Sequence, residues 1–442
     1  MSDVIVVGGG AAGMMAAIAA AQSGCHVRLF EKNEKLGKKI FITGKGRCNV
    51  TNACDKEDFF DHIVTNPKFM FSAFGKWNNW DMYNFLEEQG LRLKIERGNR
   101  VFPESDHSSD VIKTLQSAMD REGVDWKLNT SVKKLLIEDL EVGKAAEELA
   151  ASHETRKKTG RKAKGPAKIC RGVVLGSGET VMADRVILAT GGLSYPSTGS
   201  TGDGYRFAKS AGHTVTELLP ALVPFDAVLK DGGSCKELQG LALKNISIRI
   251  LQGEQTLVTD FGEMLFTHFG VSGPVLLTAS NQVTSSIRSG ELILFVDLKP
   301  ALTEEQLDAR LLRELELGAN KQMNHLLGTL LPSKMIPVML RYAGIDPAKR
   351  GREITREERL RLLYELKNFR IRLLRTRSFN EAIITQGGVS VKELQPSTME
   401  SRLVRNLFFA GEILDVDAYT GGYNLQVAWS TGYTAGKSAS VE

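Results

Sequence analysis

A glycine-rich turn near the start of the chain constrains the fold more than any other feature of the sequence. An apolar run over Asp3–Val7 predicts a buried strand, Gly8-Gly9-Gly10-Ala11-Ala12-Gly13 follows it, and an alanine-rich segment predicts a helix to about residue 23. His26–Phe30 predicts a second strand, which ends at Glu31. Strand, turn, helix and strand make a βαβ unit, so we expect a parallel α/β sheet of the Rossmann type.

The three spaced glycines of this turn have separate physical roles. Gly8 permits the bend, Gly10 lets the backbone approach a pyrophosphate, and Gly13 lets the helix lie close to its strand. The free N–H groups and the dipole of the helix N-terminus favour an anion. Glu31, eighteen residues after Gly13, is placed to accept hydrogen bonds from ribose hydroxyls. The sequence therefore predicts a dinucleotide site.

Three later segments distinguish FAD from NAD. Gly44-Lys-Gly-Arg-Cys-Asn-Val-Thr-Asn52 is rich in small residues and donors, Ala189-Thr-Gly-Gly192 ends a predicted strand, and an apolar strand meets Gly411-Glu412 near the C-terminus. A long, extended FAD needs such late returns of the chain, whereas a nicotinamide does not. No second GxGxxG occurs in a βαβ context. Electrons must then come from NADH or NADPH bound transiently, from another carrier, or from the substrate.

Length, charge and cysteine count bound the class of protein. The chain has 442 residues, enough for two to four domains, and its five cysteines argue against a secreted disulfide scaffold, so we expect a cytoplasmic protein without a membrane segment. The net charge of +5 equals that of 143–168 alone, which holds eight basic and three acidic residues. We interpret 143–168 as a flexible surface insertion, with a functional basic tail as the alternative. The neutral remainder makes a nucleic-acid partner unlikely, and a small-molecule substrate is expected.

Hydrophobic periodicity gives the rest of the organisation. Helices are predicted over 77–89 and 110–122, and strands over 125–136, 171–175 and 185–189. Short strands follow at 246–251, 264–269 and Leu292–Asp297, and the alternation from Phe369 predicts another. Between them, 301–366 is helical, and capping-box pairs mark two of its helix starts, Thr303 with Gln306 and Thr355 with Glu358.

Long motifs spread over nearly the whole chain identify a resemblance. The sequence resembles the BaiN-like (YhiN-type) flavoproteins, relatives of aminoacetone oxidase and of the glutathione-reductase-type FAD fold. The matching stretches are GGGAAG at 8–13, GKGRCNVTN at 44–52, ATGGLSYPSTGSTGDGY at 189–205, GEMLFTHFGVSGP at 262–274, and the C-terminal segment from TMES at 398 to 436. The resemblance implies an FAD-binding domain from 1–216 and 385–442, a β-barrel-like substrate domain from 217–300 and 367–384, and a helical insert domain at 301–366.

The resemblance also implies which residues hold FAD. Val132 lies in the strand whose backbone meets the adenine, Glu412 binds the ribityl chain, and the helix after Gly422 directs its N-terminal amides at flavin N1 and O2. The full predicted set is Gly8, Gly10, Ala11, Ala12, Gly13, Glu31, Lys32, Gly44, Gly46, Arg47, Cys48, Asn49, Thr51, Val132, Thr190, Gly191, Gly192, Gly411, Glu412, Gly422, Tyr423, Asn424 and Leu425. The histidine and cysteine spacings predict no metal site.

The candidate proton donors are His268, Tyr195 and Tyr423, and each also suits a packing role. Cys48 fits cofactor packing, with a redox pair to Cys54 as the alternative, although a C-x5-C spacing is unusual for such a pair.

Four arginines of the β-rich region have two interpretations. They form either a solvated sheet face or a grip on an acidic substrate group, and they are Arg370, Arg372, Arg375 and Arg377.

These features together predict an FAD-dependent oxidoreductase that transfers hydride between flavin N5 and a small organic substrate. Within the resembling family this implies NAD(P)H-dependent reduction of a conjugated enone, such as a 3-oxo bile-acid or steroid intermediate. The alternatives are a flavin amine oxidase of the aminoacetone oxidase type, which uses O2, and an RNA-modifying flavoprotein. The substrate, the electron donor and the oligomeric state do not follow from the sequence.

Overall fold

Five strands lie parallel in a central sheet in the computed structural model, which describes residues 2–140 and 166–441. Their spatial order is β20 (Leu407–Phe409), β10 (Arg185–Leu188), β1 (Asp3–Val7), β2 (His26–Phe30) and β6 (Asp125–Lys127). The middle strand β1 is almost entirely apolar and buried, as a strand covered on both faces must be. The predicted Rossmann-type sheet is therefore confirmed.

Two helices from opposite ends of the chain pack against each other in this unit. Helix α1 (Ala11–Ala21) follows the glycine turn, and α14 (Tyr423–Ser438) is the last of the described elements. A Cβ added at Gly432 would lie 2.4 Å from the carbonyl oxygen of Ala12. One added at Gly436 would lie 2.3 Å from that of Ala16. The glycines of α14 thus let its backbone contact α1 directly, which brings the C-terminal segment beside the glycine turn.

Shorter elements complete the same unit. A small antiparallel sheet contains β3 (Thr51–Asn52), β5 (Arg100–Pro103) and β4 (Leu93–Glu96), and a second sheet contains β7 (Val132–Asp139), β8 (Lys168–Leu175), β9 (Thr180–Met182) and β19 (Val404–Arg405). The described helices between them are α2 (Lys38–Ile42), α3 (Lys56–Asp61), α4 (Met70–Lys76), α5 (Asn79–Glu88), α6 (Ser108–Arg121) and α7 (Asp203–Ser210), and β18 (Ile384–Gln386) lies near the end.

The single strand predicted over 125–136 is wrong. The chain leaves the central sheet after Lys127 and enters the second sheet at Val132. Asn129, in the connection, has a φ of +52°, a left-handed conformation that interrupts a strand and that asparagine tolerates well. The segment 143–168 lies outside the described residues as far as residue 165, so the structure does not bear on the predicted insertion.

Six antiparallel strands close into a barrel in the second unit, as the β-barrel-like prediction requires. Around the barrel they are β12 (Phe225–Leu229), β15 (Gly270–Ser272), β14 (Gln255–Phe266), β13 (Ala242–Gln252), β16 (Leu292–Asp297) and β17 (Phe369–Thr376). Inward positions along the strands are apolar and buried, including Ile248, Leu294 and Ile371. The core of this unit therefore lies inside the barrel.

Helices of the second unit share the barrel's hydrophobic core. They are α8 (Pro274–Val283), α9 (Ser286–Ser289), α10 (Glu304–Leu317), α11 (Met323–Leu326), α12 (Ile336–Ala343) and α13 (Arg356–Lys367). Leu311 of α10 and Leu366 of α13 belong to the same buried cluster as the inward barrel residues. Both predicted capping boxes are present, at the starts of α10 and α13.

The chain divides into two compact units. One comprises Met1–Leu219 with Ile383–Glu442 and the other Pro220–Ala382, and the short strand β11 (Leu219–Ala221) lies at the division. Within residues 2–140 and 166–441, no helix is both long and apolar enough to cross a bilayer.

Candidate functional site

The turn between β1 and α1 has the geometry of a phosphate cradle. Gly8 has a φ of +104°, and a Cβ there would lie 2.5 Å from the carbonyl oxygen of Ala189. A Cβ at Gly13 would lie 1.8 Å from the carbonyl oxygen of Gly8. At Gly10, by contrast, a Cβ would have no atom within 4 Å, and α1 begins after it without a side-chain cap. Its first amides, those of Ala11 and its neighbours Ala12 and Gly13, therefore border open space where an anion can bind.

Glu31 is buried at the carboxyl end of β2, directly beside this turn. Its Oε2 accepts a hydrogen bond of 2.7 Å from the backbone N–H of Gly9. Its Oε1 accepts two from Asn33, one of 2.8 Å from the backbone N–H and one of 2.7 Å from Nδ2. These bonds fix the carboxylate next to the glycine turn. The following residue, Lys32, forms an ion pair of 2.7 Å with Asp203.

The second glycine loop contains a run of left-handed backbone. Gly44, Gly46 and Cys48 have φ values of +56°, +87° and +60°. Arg47, which the resemblance places at the cofactor, pairs with Glu96 at 2.5 Å and with Asp106 at 2.6 Å, and its guanidinium lies 4.2 Å from the centre of a phenylalanine ring. The arrangement gives Arg47 partners that secure the loop.

Beyond Arg47, the same segment presents polar groups toward the start of α14. The hydroxyl of Thr51 donates to Oε1 of Gln426 at 2.8 Å. Oδ1 of Asn49 is buried and has no hydrogen-bond partner among the described residues. An unpaired buried acceptor is costly, so this atom fits a role in which a ligand donates to it.

A cluster of polar side chains surrounds Glu412, which follows Gly411 at the end of β20. Its Oε1 accepts from the hydroxyl of Ser194 at 2.7 Å and from the backbone N–H of Thr385 at 2.9 Å. Its Oε2 pairs with Nζ of Lys39 at 2.5 Å. Sequence reasoning singled out Glu412 and missed the other three, which come from distant parts of the chain. Ser194 lies inside one of the family-like motifs, whereas nothing in the sequence distinguishes Lys39 or Thr385.

The loop after β10 lies against the Glu412 cluster. Gly191 has a φ of +72°, and a Cβ at Gly192 would lie 2.4 Å from Oγ1 of Thr385 and 3.1 Å from Oε1 of Glu412. Oγ1 of Thr190 is buried without a hydrogen-bond partner among the described residues. The glycines therefore permit a close approach of backbone to polar side chains, and the threonine leaves a second open hydrogen-bonding group.

Helix α14 begins under a second glycine turn. Gly422 has a φ of +99°, a Cβ there would lie 2.4 Å from the carbonyl of Thr51, and no side chain caps the helix. The amide of Asn424 bonds back to both backbone groups of Ala418, at 3.0 and 2.7 Å. Leu425 is half-buried in the first turn. This helix start, like that of α1, presents free N–H groups.

Tyr423 is buried at the start of α14 among aromatic side chains. Its ring stacks on His62 with centroids 4.3 Å apart, and Phe59 lies 6.0 Å away. Burial raises the pKa of the Tyr423 phenol well above its ordinary value, so it remains protonated at neutral pH. His62 was not among the predicted residues, since a single histidine in a polar segment gives no signal.

The other two candidate proton donors lie elsewhere. Tyr195 is half-buried with a φ of +50° in the loop after β10. His268 is exposed between β14 and β15 of the barrel unit, with its ring against Phe269 at 5.0 Å. Val132, predicted near the adenine, opens β7 and pairs with Leu175.

Both cysteines of the C-x5-C segment are free thiols. Burial raises the pKa of Cys48 to about 12 and that of Cys54 to about 12 as well. Since the thiolate is the reactive form, neither residue is activated at neutral pH. This favours packing over redox chemistry.

The residues present fit a bound dinucleotide. The first unit combines two uncapped helix starts, an open Gly10, a buried Glu31 and the unpaired acceptor of Asn49. Pyrophosphate, ribose and flavin each need such groups.

Comparison with known proteins agrees with this geometry. The model of the HI0933-like protein Rossmann domain family matches residues 2–438. The chain is 32% identical to the 3-dehydro-bile acid delta(4,6)-reductase of Clostridium scindens, over 99% of both chains. It is 29% identical to the ribosomal RNA dihydrouridine synthase of Escherichia coli, over 98% of this chain and 96% of that protein.

A solved structure shares the fold across the full length. It is a 3-ketosteroid delta1-dehydrogenase from Sterolibacterium denitrificans, with a TM-score of 0.51, 13% identity and 99% of both chains covered. The resemblance predicted from the motifs is therefore confirmed: the chain belongs to the HI0933-like Rossmann family, and it is an FAD-dependent oxidoreductase.

Proposed function

We propose that this enzyme reduces a carbon–carbon double bond that is conjugated to a carbonyl group. The observation that carries the proposal is what the two relatives' names have in common. A 3-oxo steroid with double bonds at positions 4 and 6 is a conjugated enone, and dihydrouridine is uridine whose C5=C6 bond, conjugated to the C4 carbonyl, has been saturated. In this enzyme, we propose, hydride adds to the β-carbon of such a bond and a proton adds to the α-carbon.

The chain's own residues divide the work of holding the cofactor. When bound, FAD supplies the hydride from N5 of its reduced ring. The amides after Gly10 bind the pyrophosphate, Glu31 binds the adenosine ribose, and Glu412 with Lys39 binds the ribityl chain. The free amides at the start of α14 favour negative charge at the pyrimidine end of the flavin ring, at N1 and O2.

The proton for the α-carbon comes from one of three side chains. Tyr423 is enclosed by Phe59 and His62, which suits a wall of the site better than a donor. Tyr195 is half-buried and His268 is exposed, so either can meet a substrate. We propose His268 or Tyr195 as the donor, and expect His268→Ala to lower turnover at full flavin content if His268 serves.

NADH or NADPH is the electron donor in this proposal, bound transiently rather than on a domain of its own. The five cysteines are free thiols, which is consistent with work in the reducing cytoplasm.

The test is product analysis with the holoenzyme under nitrogen. Protein, NADPH or NADH, and either a 4-en-3-one steroid or a uridine-containing RNA are incubated, and products are measured by mass spectrometry. The proposal predicts gain of two hydrogen atoms in one of the conjugated substrates, and no gain without nicotinamide. Unchanged steroid and unchanged uridine, together with oxygen uptake on adding an aminoketone, would replace the proposal with the amine-oxidase alternative.

A further inference from the structure

The outer face of the barrel carries a row of basic and aromatic side chains that crosses three strands. Arg249 of β13 pairs in register with Phe295 of β16, and Phe295 pairs with Arg370 of β17. The next outward row ends in Arg372, opposite Ile293. We call these residues, with Tyr364 of α13, the barrel strip: Arg249, Phe295, Tyr364, Arg370 and Arg372.

The strip faces away from the barrel interior. Side chains alternate along each strand, and the neighbours of the strip residues are fully buried in the core, namely Ile248 and Ile250, Leu294 and Val296, and Phe369 and Ile371. Arg249 is exposed, Phe295 is half-buried, and Tyr364 retains 49% exposure. Part of each ring is therefore accessible to a ligand.

Arginines flank the aromatic rings at cation–π distance. The guanidinium of Arg249 lies 5.6 Å from the ring centre of Phe295, and that of Arg370 lies 5.8 Å from that of Tyr364. Nε of Arg370 is buried with no hydrogen-bond partner among the described residues, although its Nη2 lies 3.5 Å from Glu365. Arg370 therefore has one long ion pair, with a carboxylate that also pairs with Lys230.

The charge around the strip is positive. The described ion pairs around its three arginines bring in two lysines, Lys230 and Lys367, and three carboxylates, a balance of +2. The carboxylates are Glu365, paired with Lys230 at 2.5 Å, Asp297, paired with Lys367 at 2.6 Å, and Glu291, paired with Arg372 at 2.7 Å. Arg249 donates to a neutral group, the side-chain carbonyl of Asn368, at 3.0 Å. The surface therefore complements an anion.

We propose that the barrel strip binds single-stranded RNA. Bases stack on Phe295 and Tyr364 while Arg249, Arg370 and Arg372 contact phosphates, which is the combination by which sheet faces bind single strands. An acidic peptide would contact the arginines but would leave the exposed parts of the two aromatic rings without a partner. The proposal rests on the proposed function and narrows it, since a uracil within RNA is then the conjugated substrate.

The first test is fluorescence anisotropy of a labelled oligouridine of about twelve nucleotides, a length that spans such a surface, with the holoenzyme. Phe295→Ala is expected to weaken binding by about tenfold or more, because one stacked base is lost. Phe295→Tyr keeps a ring and is expected to retain binding. Phe71→Ala is the control, since Phe71 is an exposed aromatic residue on α4 of the first unit.

Salt dependence separates stacking from phosphate contact. Arg249→Gln is expected to lower the slope of log affinity against log salt by about 0.7, the value for one phosphate contact on a single strand. Arg313→Gln, an exposed arginine on α10, is expected to leave the slope unchanged. Equal binding by Phe295→Ala and Phe71→Ala, or no binding by the wild type, would overturn the assignment of the strip.

Failure of the strip and failure of the proposed function give different results. Binding that depends on Phe295 without any reduced uridine would leave the strip in place and contradict the reductase. Reduction of a steroid enone without RNA binding would support the reductase and contradict the strip. Melting temperatures of the variants show whether a loss of binding reflects unfolding.

Discussion

Four helix starts, two in each unit, differ in how their first backbone N–H groups find partners. In the barrel unit, α10 and α13 start with complete capping boxes, in which Thr303 and Thr355 accept from the backbone three residues on. In the first unit (Met1–Leu219 with Ile383–Glu442), which we call the nucleotide-binding unit, α1 and α14 start after Gly10 and Gly422 with no side-chain cap. A cap satisfies the helix internally, whereas an uncapped start after glycine leaves its donors for a ligand. Among these four helices, the two capped starts stabilise the fold and the two uncapped starts are available to bind a ligand.

Carboxylate side chains of the two units also differ in their partners. In the barrel unit, Asp226 pairs with Arg375 at 2.7 Å and with Arg377 at 2.9 Å, so arginines that the sequence left open as substrate contacts bind the fold itself. In the other unit, Glu31 accepts hydrogen bonds from Gly9 and Asn33, and Glu412 accepts from segments far away in the sequence.

Gly13→Ala is the strongest way to break the nucleotide-binding unit. The added Cβ would lie 1.8 Å from the carbonyl oxygen of Gly8, so β1 and α1 must separate, at a cost of about 3 kcal/mol or more. Two measurements check this disruption: the flavin that stays bound after desalting, and the melting temperature of the apoprotein. Gly10→Ala is the matched variant: its Cβ meets no protein atom within 4 Å, so the apoprotein should melt normally but retain less FAD. Full flavin retention by Gly10→Ala, or a normal melting temperature for Gly13→Ala, would contradict the account.

Glu31→Ala is expected to give protein with little or no bound flavin. The change removes the ribose acceptor and also leaves the N–H of Gly9 and the amide of Asn33 without their partner, at about 1–3 kcal/mol for each buried group. Absorbance of the purified protein checks it. Glu34→Ala, an exposed carboxylate three residues on, is the control. Fully yellow Glu31→Ala protein would remove the ribose role.

Asp226→Asn is expected to destabilise the barrel unit while flavin content stays normal. Burial raises the pKa of Asp226, but Arg375 and Arg377 outweigh it and hold the pKa below its ordinary value. Arg375 is 77% exposed, so the screened pair is worth only about 1–2 kcal/mol.

The pH dependence of that loss has a definite sign. A depressed folded-state pKa stabilises the protein above the unfolded value of about 3.9, and the stabilisation disappears as the pH falls through the folded-state pKa. Denaturant melts from neutral pH to below pH 4 should therefore show the wild type approaching Asp226→Asn. A gap that stays constant over this range would show that the carboxylate charge is not the cause.

Thr355→Ala gives the smallest effect and tests the comparison of helix starts. Loss of the cap is expected to lower the free energy of unfolding by about 1 kcal/mol, with no change in flavin content. Thr355→Ser keeps the hydroxyl and should behave as the wild type. Loss of flavin in Thr355→Ala would contradict the distinction between helix starts that stabilise the fold and helix starts that bind the cofactor.

Local patterns were enough to predict much of the fold. The glycine turn, the strand ending at Glu31 and both threonine caps depend on residues close in sequence, and the structure confirms them. The break after Lys127 was missed because apolar alternation continues on both sides of Asn129. The positive φ at Asn129 ends the strand there.

Convergence of distant segments could not be read in the same way. Lys39, Ser194 and Thr385 meet at Glu412, although up to 373 residues separate the partners. Likewise, Arg249 and Phe295 become neighbours only through the strand order of the barrel. Such contacts depend on register and topology, which short-range patterns do not specify.

An anaerobic absorbance titration of the holoenzyme tests the central claim most directly. NADH and NADPH are added in turn, and a conjugated substrate, either a steroid enone or a uridine-containing RNA, is then added without oxygen. The account predicts that one nicotinamide bleaches the flavin and that one conjugated substrate restores the oxidised spectrum. A flavin that stays reduced with both substrates, or that is bleached by an amine and restored by air, would contradict it.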